Sequence, residues 1–171
     1  MTTTSRSLRS ELSNTARRAL GALVTIVLVV GGGITAAAQP APTVPVLTAI
    51  RTGQQPGFDR VVLDLSGPAP TVSNRWVDEL TADGSGQIVW LTGEFFVAVV
   101  ATPATAHNDA GNPTYTGPEK FRTRNLRNVM AVAITGDYEG YLSIGLGTRS
   151  RTWVRTFTLT SPTRVVIDVG V

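Results

Sequence analysis

Arg60-Val61-Val62-Leu63-Asp64-Leu65 and Arg164-Val165-Val166-Ile167-Asp168-Val169 are two copies of one pattern: an Arg, two Val, an aliphatic residue, an Asp and a second aliphatic residue. Successive side chains of a strand point to opposite faces. Val61, Leu63 and Leu65 therefore share one face, and Val165, Ile167 and Val169 repeat it. Arg60, Val62 and Asp64 occupy the other face, as do Arg164, Val166 and Asp168. An apolar spacing of two in segments dominated by β-branched residues marks half-buried strands rather than helices. Laid side by side antiparallel with Val62 opposite Val166, the copies set Arg60 against Asp168 and Asp64 against Arg164. Each such cross-strand charge pair contributes about 0.2–1 kcal/mol. The alternative places the copies in separate sheets related by pseudo-symmetry.

Outward from these strands the same texture continues. Apolar or alternating runs fall at residues 46–51, 58–65, 71–77, 87–91, 95–101, 126–135, 141–146, 153–159 and 164–169, separated by Gly- and Pro-containing turns. The runs 87–91 and 95–101 are read as a hairpin across Thr92-Gly93-Glu94. About nine short strands with no long amphipathic pattern predict an all-β fold, a sandwich or a barrel. The exception to the regular spacing is 102–125, which carries Pro103, Gly111, Pro113, Gly117, Pro118 and the only histidine, His107. Loops of that length inside a compact domain are usually functional or disordered.

The first 38 residues have a different character. Arg6, Arg9, Arg17 and Arg18 precede an apolar run at 19–34, and Ala36-Ala37-Ala38 supplies a small-residue cleavage site. That order predicts a secretory signal peptide over 1–38, with an uncleaved membrane anchor as the alternative. At about 1.5 Å per residue the run reaches roughly 24 Å, short of a hydrocarbon core of about 30 Å. Residues 39–45, rich in Pro and Ala, read as a linker, and 46–171 as one domain. Of 15 basic and 12 acidic residues, the leader holds four arginines and one glutamate, leaving eleven of each. The basic balance of the whole chain therefore comes from its leader, and nucleic acid is not an expected partner. Membrane is a partner only if the leader stays uncleaved. Cysteine is absent, which excludes a disulfide framework, a thiolate metal site and a lipid-modified cysteine.

Enzymatic and metal readings find little support. One His and no Cys leave only a carboxylate-rich zinc site. Asp109, Asp137 and Glu139 lack the spaced oxygen ligands of a calcium loop. His107 has Ser143 and Ser150 as nominal nucleophilic partners but no G-x-S-x-G elbow, so it is read as a surface histidine bonded to loop backbone. Asp137 and Glu139 flank Tyr138 and would point the same way on an extended segment, as two carboxylates of a glycan hydrolase must. Solvated turn acids are the simpler account. No catalytic residue, metal or cofactor is expected. Aromatic rings with a few polar groups, among them Tyr115, Tyr138, Tyr141 and Trp153 with Arg60, Arg155, Asp137 and Glu139, suit a glycan or peptide ligand.

The repeated strands, with Gly57-Phe58-Asp59-Arg60, Ala106-His107-Asn108-Asp109, Tyr115-Thr116-Gly117-Pro118, Gly136-Asp137-Tyr138-Glu139-Gly140, Gly145-Leu146-Gly147 and Leu159-Thr160-Ser161-Pro162-Thr163-Arg164, resemble the AMIN-like domain of secreted and lipid-anchored actinobacterial proteins. The resemblance covers roughly 46–169 and extends to the AMIN domain of cell-wall amidases and secretins. It implies a β-sandwich of two related sheets and a non-catalytic exported module at the cell envelope that recognises peptidoglycan or another wall glycan. An envelope protein is the alternative partner, and a small hydrolase using Asp137 or Glu139 the remote one. Phe58, Asp59, Arg60, His107, Tyr115, Asp137, Tyr138 and Glu139 form the expected ligand face. The chain departs from many such relatives in lacking both a lipid-anchor cysteine and an attached amidase domain.

Overall fold

The structure is a computed structural model that describes residues 43–171, so the leader and most of the linker lie outside the described residues. Among these residues nine strands form: β1 (Val46–Gln55), β2 (Phe58–Ser66), β3 (Thr71–Val77), β4 (Phe95–Thr102), β5 (Lys120–Arg122), β6 (Val129–Tyr138), β7 (Tyr141–Thr148), β8 (Val154–Leu159) and β9 (Arg164–Gly170). They build a four-stranded sheet, β1-β2-β9-β8, and a five-stranded sheet, β3-β4-β7-β6-β5, all antiparallel. The two sheets face each other across one apolar core, as the alternation of their strands requires. Val61, Leu63, Val165, Ile167 and Val169 fill it from the first sheet, and Val97, Val99, Leu142, Ile144 and Leu146 from the second.

The two copies of the repeated strand are neighbours in one sheet. β2 and β9 pair with Val62 opposite Val166, Arg60 opposite Asp168 and Asp64 opposite Arg164. Arg60 binds Asp168 in a two-point contact, Nε to Oδ1 at 2.7 Å and Nη2 to Oδ2 at 2.9 Å. The second expected charge pair does not form. Asp64 instead accepts from Arg51 on β1 (2.5 and 2.7 Å), and Arg164 donates to the carbonyl of Pro162 at 3.3 Å. A partner on the other flanking strand is invisible to a comparison of the two copies alone.

The expected strand at 87–91 is corrected. Thr81 and Ile88 make one isolated bridge, and the ninth strand is β5, out of the long loop. The connection between β3 and β4 lies instead on the outer face of the second sheet. That face is made of small residues: Ala131 and Ala133 on β6, Ser143, Gly145 and Gly147 on β7. A Cβ at Gly145 would meet the side chain of Leu80, and one at Gly147 would overlap the Thr92 carbonyl. The backbone of Asp83 donates to Thr135 O at 3.0 Å, and Val89 to Leu80 O at 2.8 Å. An apolar run can thus be buried on one side by a sheet without pairing as a strand.

A bulge in β6 decides where the later side chains point. Its register against β7 shifts between Ile134 and Gly136. One extra residue in a strand inverts the facing of everything after it. Ile134 and Asp137, three apart, consequently line the same cavity, while Tyr138 turns to the opposite face.

Candidate functional site

The β6–β7 hairpin closes through Glu139 and Gly140, whose φ values are 47° and 78°. Positive φ at both central residues is the geometry of a type I′ turn, matched to the twist of the flanking strands. It pairs Tyr138 with Tyr141, so both rings stand on the outer face, 65% and 53% exposed. Beside them runs an open groove of about 660 Å³ whose lining includes Arg75, Asp83, Thr102, Glu139 and Ser143. Ser143 Oγ donates to Asp83 Oδ2 at 2.5 Å, which fixes the carboxylate at the groove wall. Two aromatic faces with two carboxylates and a guanidinium can hold a flat polar ring and bond its hydroxyls.

On the other side of the hairpin lies a second cavity, about 380 Å³, bounded by His107, Pro113, Tyr115, Glu119, Ile134 and Asp137. The histidine does not bond loop backbone as expected; its Nδ1 meets Asp137 Oδ2 at 2.6 Å. The long loop is ordered by its own polar side chains. Asn108 Oδ1 accepts from the backbone of Ala110 and Asn112, both at 3.0 Å, and Thr114 Oγ1 donates to Leu47 O at 2.8 Å. Tyr115 lies over Gly117, where a Cβ would overlap its ring, and its hydroxyl donates to Pro118 O at 3.3 Å. Burial pushes the Tyr115 hydroxyl pKa above its ordinary value.

The remaining expected residues lie elsewhere. Asp59 is fully buried, and its Oδ2 accepts from the backbone of Asn128 (2.6 Å) and Val129 (2.9 Å) at the start of β6. Tyr138 ends that ten-residue strand, about 30 Å away at roughly 3.3 Å per residue. Phe58, Asp59 and Arg60 therefore do not share a face with the hairpin tip. Asp59 is a cap on the β6 entry, where Asn128 also bonds the carbonyl of Gly170 at 2.6 Å. Arg60 and Arg155 cover the carboxylate of Asp168, Arg155 Nη2 donating to Oδ2 at 2.7 Å. Burial alone would raise the Asp168 pKa, but hydrogen bonds from the two guanidinium groups outweigh it and hold it below the ordinary carboxylate value. Arg60 also stacks over Phe58 (5.2 Å) and Phe157 (5.8 Å).

The constellations weighed for catalysis do not assemble. Asp137 and Glu139 line different cavities, because Asp137 lies on β6 while Glu139 stands in the turn that follows it. Ser143 bonds Asp83 rather than His107, and Ser150 sits beside Asn128 at the far end of the sheet. Among the described residues no group of three His, Asp or Glu is placed to hold a metal ion. Sequence reasoning missed Arg75 and Asp83, which reach the groove only through the pairing of β3 with β4 and the folding of the 78–94 connection over β7.

No curated protein and no solved structure matches the chain. The model of the AMIN-like domain matches residues 45–171, which takes in all nine strands, the hairpin and both cavities. The chain belongs to the AMIN-like domain family.

Proposed function

We propose that the protein is an exported, non-catalytic module that binds cell-wall glycan, peptidoglycan foremost, in the groove beside Tyr138 and Tyr141. Family membership supports a cell-wall-associated binding module in general. The observation that carries the finer reading is the pair of exposed tyrosines on one face of a groove with polar walls. A second feature agrees with it. Glu139 holds a left-handed conformation that costs a non-glycine residue roughly 1–2 kcal/mol, and its side chain borders the groove. In this reading residues 1–38 deliver the domain, 39–45 tether it, and His107, Tyr115 and Asp137 support the hairpin from its other side.

Calorimetric titration of the purified protein with soluble peptidoglycan glycan chains tests the assignment. Tyr138→Ala and Tyr141→Ala should each weaken binding by about three- to tenfold, as loss of roughly 0.7–1.4 kcal/mol predicts. Full affinity in the double variant would remove the groove from the account. Absence of binding by the parent protein would turn the search to an envelope protein partner.

A further inference from the structure

The 78–94 connection walls a second cleft on its far side. Trp90 stands out of the connection 79% exposed, although its neighbours Leu91 and Thr92 lie back toward the sheet. Next to it, β5 forms the edge of the second sheet. Lys120 and Arg122, two residues apart on that strand, are exposed, while Phe121 between them packs against the core. Trp90, Thr92, Lys120 and Arg122 enclose a concavity of about 300 Å³ with Ala131 among its lining residues. Lys120 Nζ donates to the Trp90 carbonyl at 3.1 Å, which ties the two walls together and leaves the ammonium with donors to spare.

The charge of this cleft is one-sided. No carboxylate lines it, and among the described residues neither Lys120 nor Arg122 forms an ion pair. Glu119, the adjacent residue, lines the His107 cavity instead. The tyrosine groove has the opposite balance, with Asp83 and Glu139 against Arg75. An exposed indole offers a flat apolar face to the C–H edge of a sugar ring. A guanidinium and an ammonium at the rim offer charge-assisted hydrogen bonds to a carboxylate or a phosphate.

We infer that the Trp90–Lys120–Arg122 cleft is a binding site for a sugar unit bearing a negative charge, stacked on Trp90 with its anionic group between Lys120 and Arg122. It extends the wall-glycan reading by assigning a charged unit to a separate place, and it stands or falls apart from the tyrosine groove. The Trp90 indole N–H resonance, assigned through Trp90→Phe, gives the direct readout in titrations of the purified protein. Three probes share one ring: N-acetylmuramic acid, N-acetylglucosamine phosphate and N-acetylglucosamine. Either charged sugar should shift the resonance at a concentration where the neutral one does not, and the tighter of the two identifies carboxylate or phosphate as the anion. Lys120→Gln with Arg122→Gln should weaken that binding about tenfold. All three side chains are exposed, so the variants keep the fold. Tyr138→Ala should leave this titration unchanged, whereas failure of the tyrosine groove would show as full affinity of the Tyr138→Ala, Tyr141→Ala double variant for peptidoglycan glycan chains. Equal response to all three sugars, or an unaffected double variant, would overturn the proposal. So would a response to phosphatidylglycerol vesicles alone, which would make the patch a membrane contact.

Discussion

Asp168 shows how one side chain ties both copies of the repeated strand to a third. Its carboxylate lies on the outer face of the first sheet, covered by Arg60 and Arg155. With its folded pKa below the ordinary value of about 3.9, its stabilisation is complete above about pH 5 and declines below that. It is lost as pH falls through the folded value, because protonation removes the charge that the arginines hold. Asp168→Asn should destabilise the protein by about 2–3 kcal/mol at neutral pH, the scale of hydrogen bonds to charged groups. The gap to the parent should narrow toward pH 2. Urea unfolding at a series of pH values checks this, and an Asn variant with the parent's full acid sensitivity would contradict it. The Arg60 to Asp168 contact was legible because opposite charges recur at matching places in the repeat. The contacts of Asp59 with Asn128 and Val129 were not, since nothing in a strand pattern announces a buried acid serving another strand's backbone.

Two elements set the site, and each invites a change. The Glu139-Gly140 turn would accept Asn at 139 with less strain, because Asn tolerates positive φ better than Glu. Glu139→Asn should raise stability by about 0.5–1 kcal/mol in thermal unfolding and weaken glycan binding, since the groove loses a carboxylate. The 78–94 connection depends on the bare backbone of Gly147. Gly147→Ala should cost about 1–3 kcal/mol by overpacking and open the connection to limited proteolysis. Gly84→Ala, where a Cβ meets open space, should leave the digestion pattern unchanged. At this scale the sequence revealed eight of the nine strands through their alternation. It misassigned 87–91, where apolar residues serve a covering loop, and it passed over β5, too short for alternation to register. The position of Asp137 was also hidden, because its direction follows from a bulge rather than from strand parity.

At the scale of the molecule, the sandwich gives the domain two unlike ends and one covered face. The start of β6, with Asp59 and Asn128, is a knot of buried hydrogen bonds that joins both sheets. The hairpin at the other end of β6 carries the exposed tyrosines, and the 78–94 connection separates their groove from the Trp90 cleft. Architecture was legible from turn spacing and strand texture; the division of the expected ligand face was not, because Asp59 on β2 caps the start of β6 and Tyr138 ends that strand, about 30 Å away. The central claim, that this domain binds the wall, is tested most directly by sedimenting the purified protein with purified cell-wall sacculi at low and high salt. Saturable binding is expected, reduced but retained in high salt, because charge at Lys120 and Arg122 is screened while stacking on the tyrosines is not. Absence of saturable binding at either salt concentration would contradict the account.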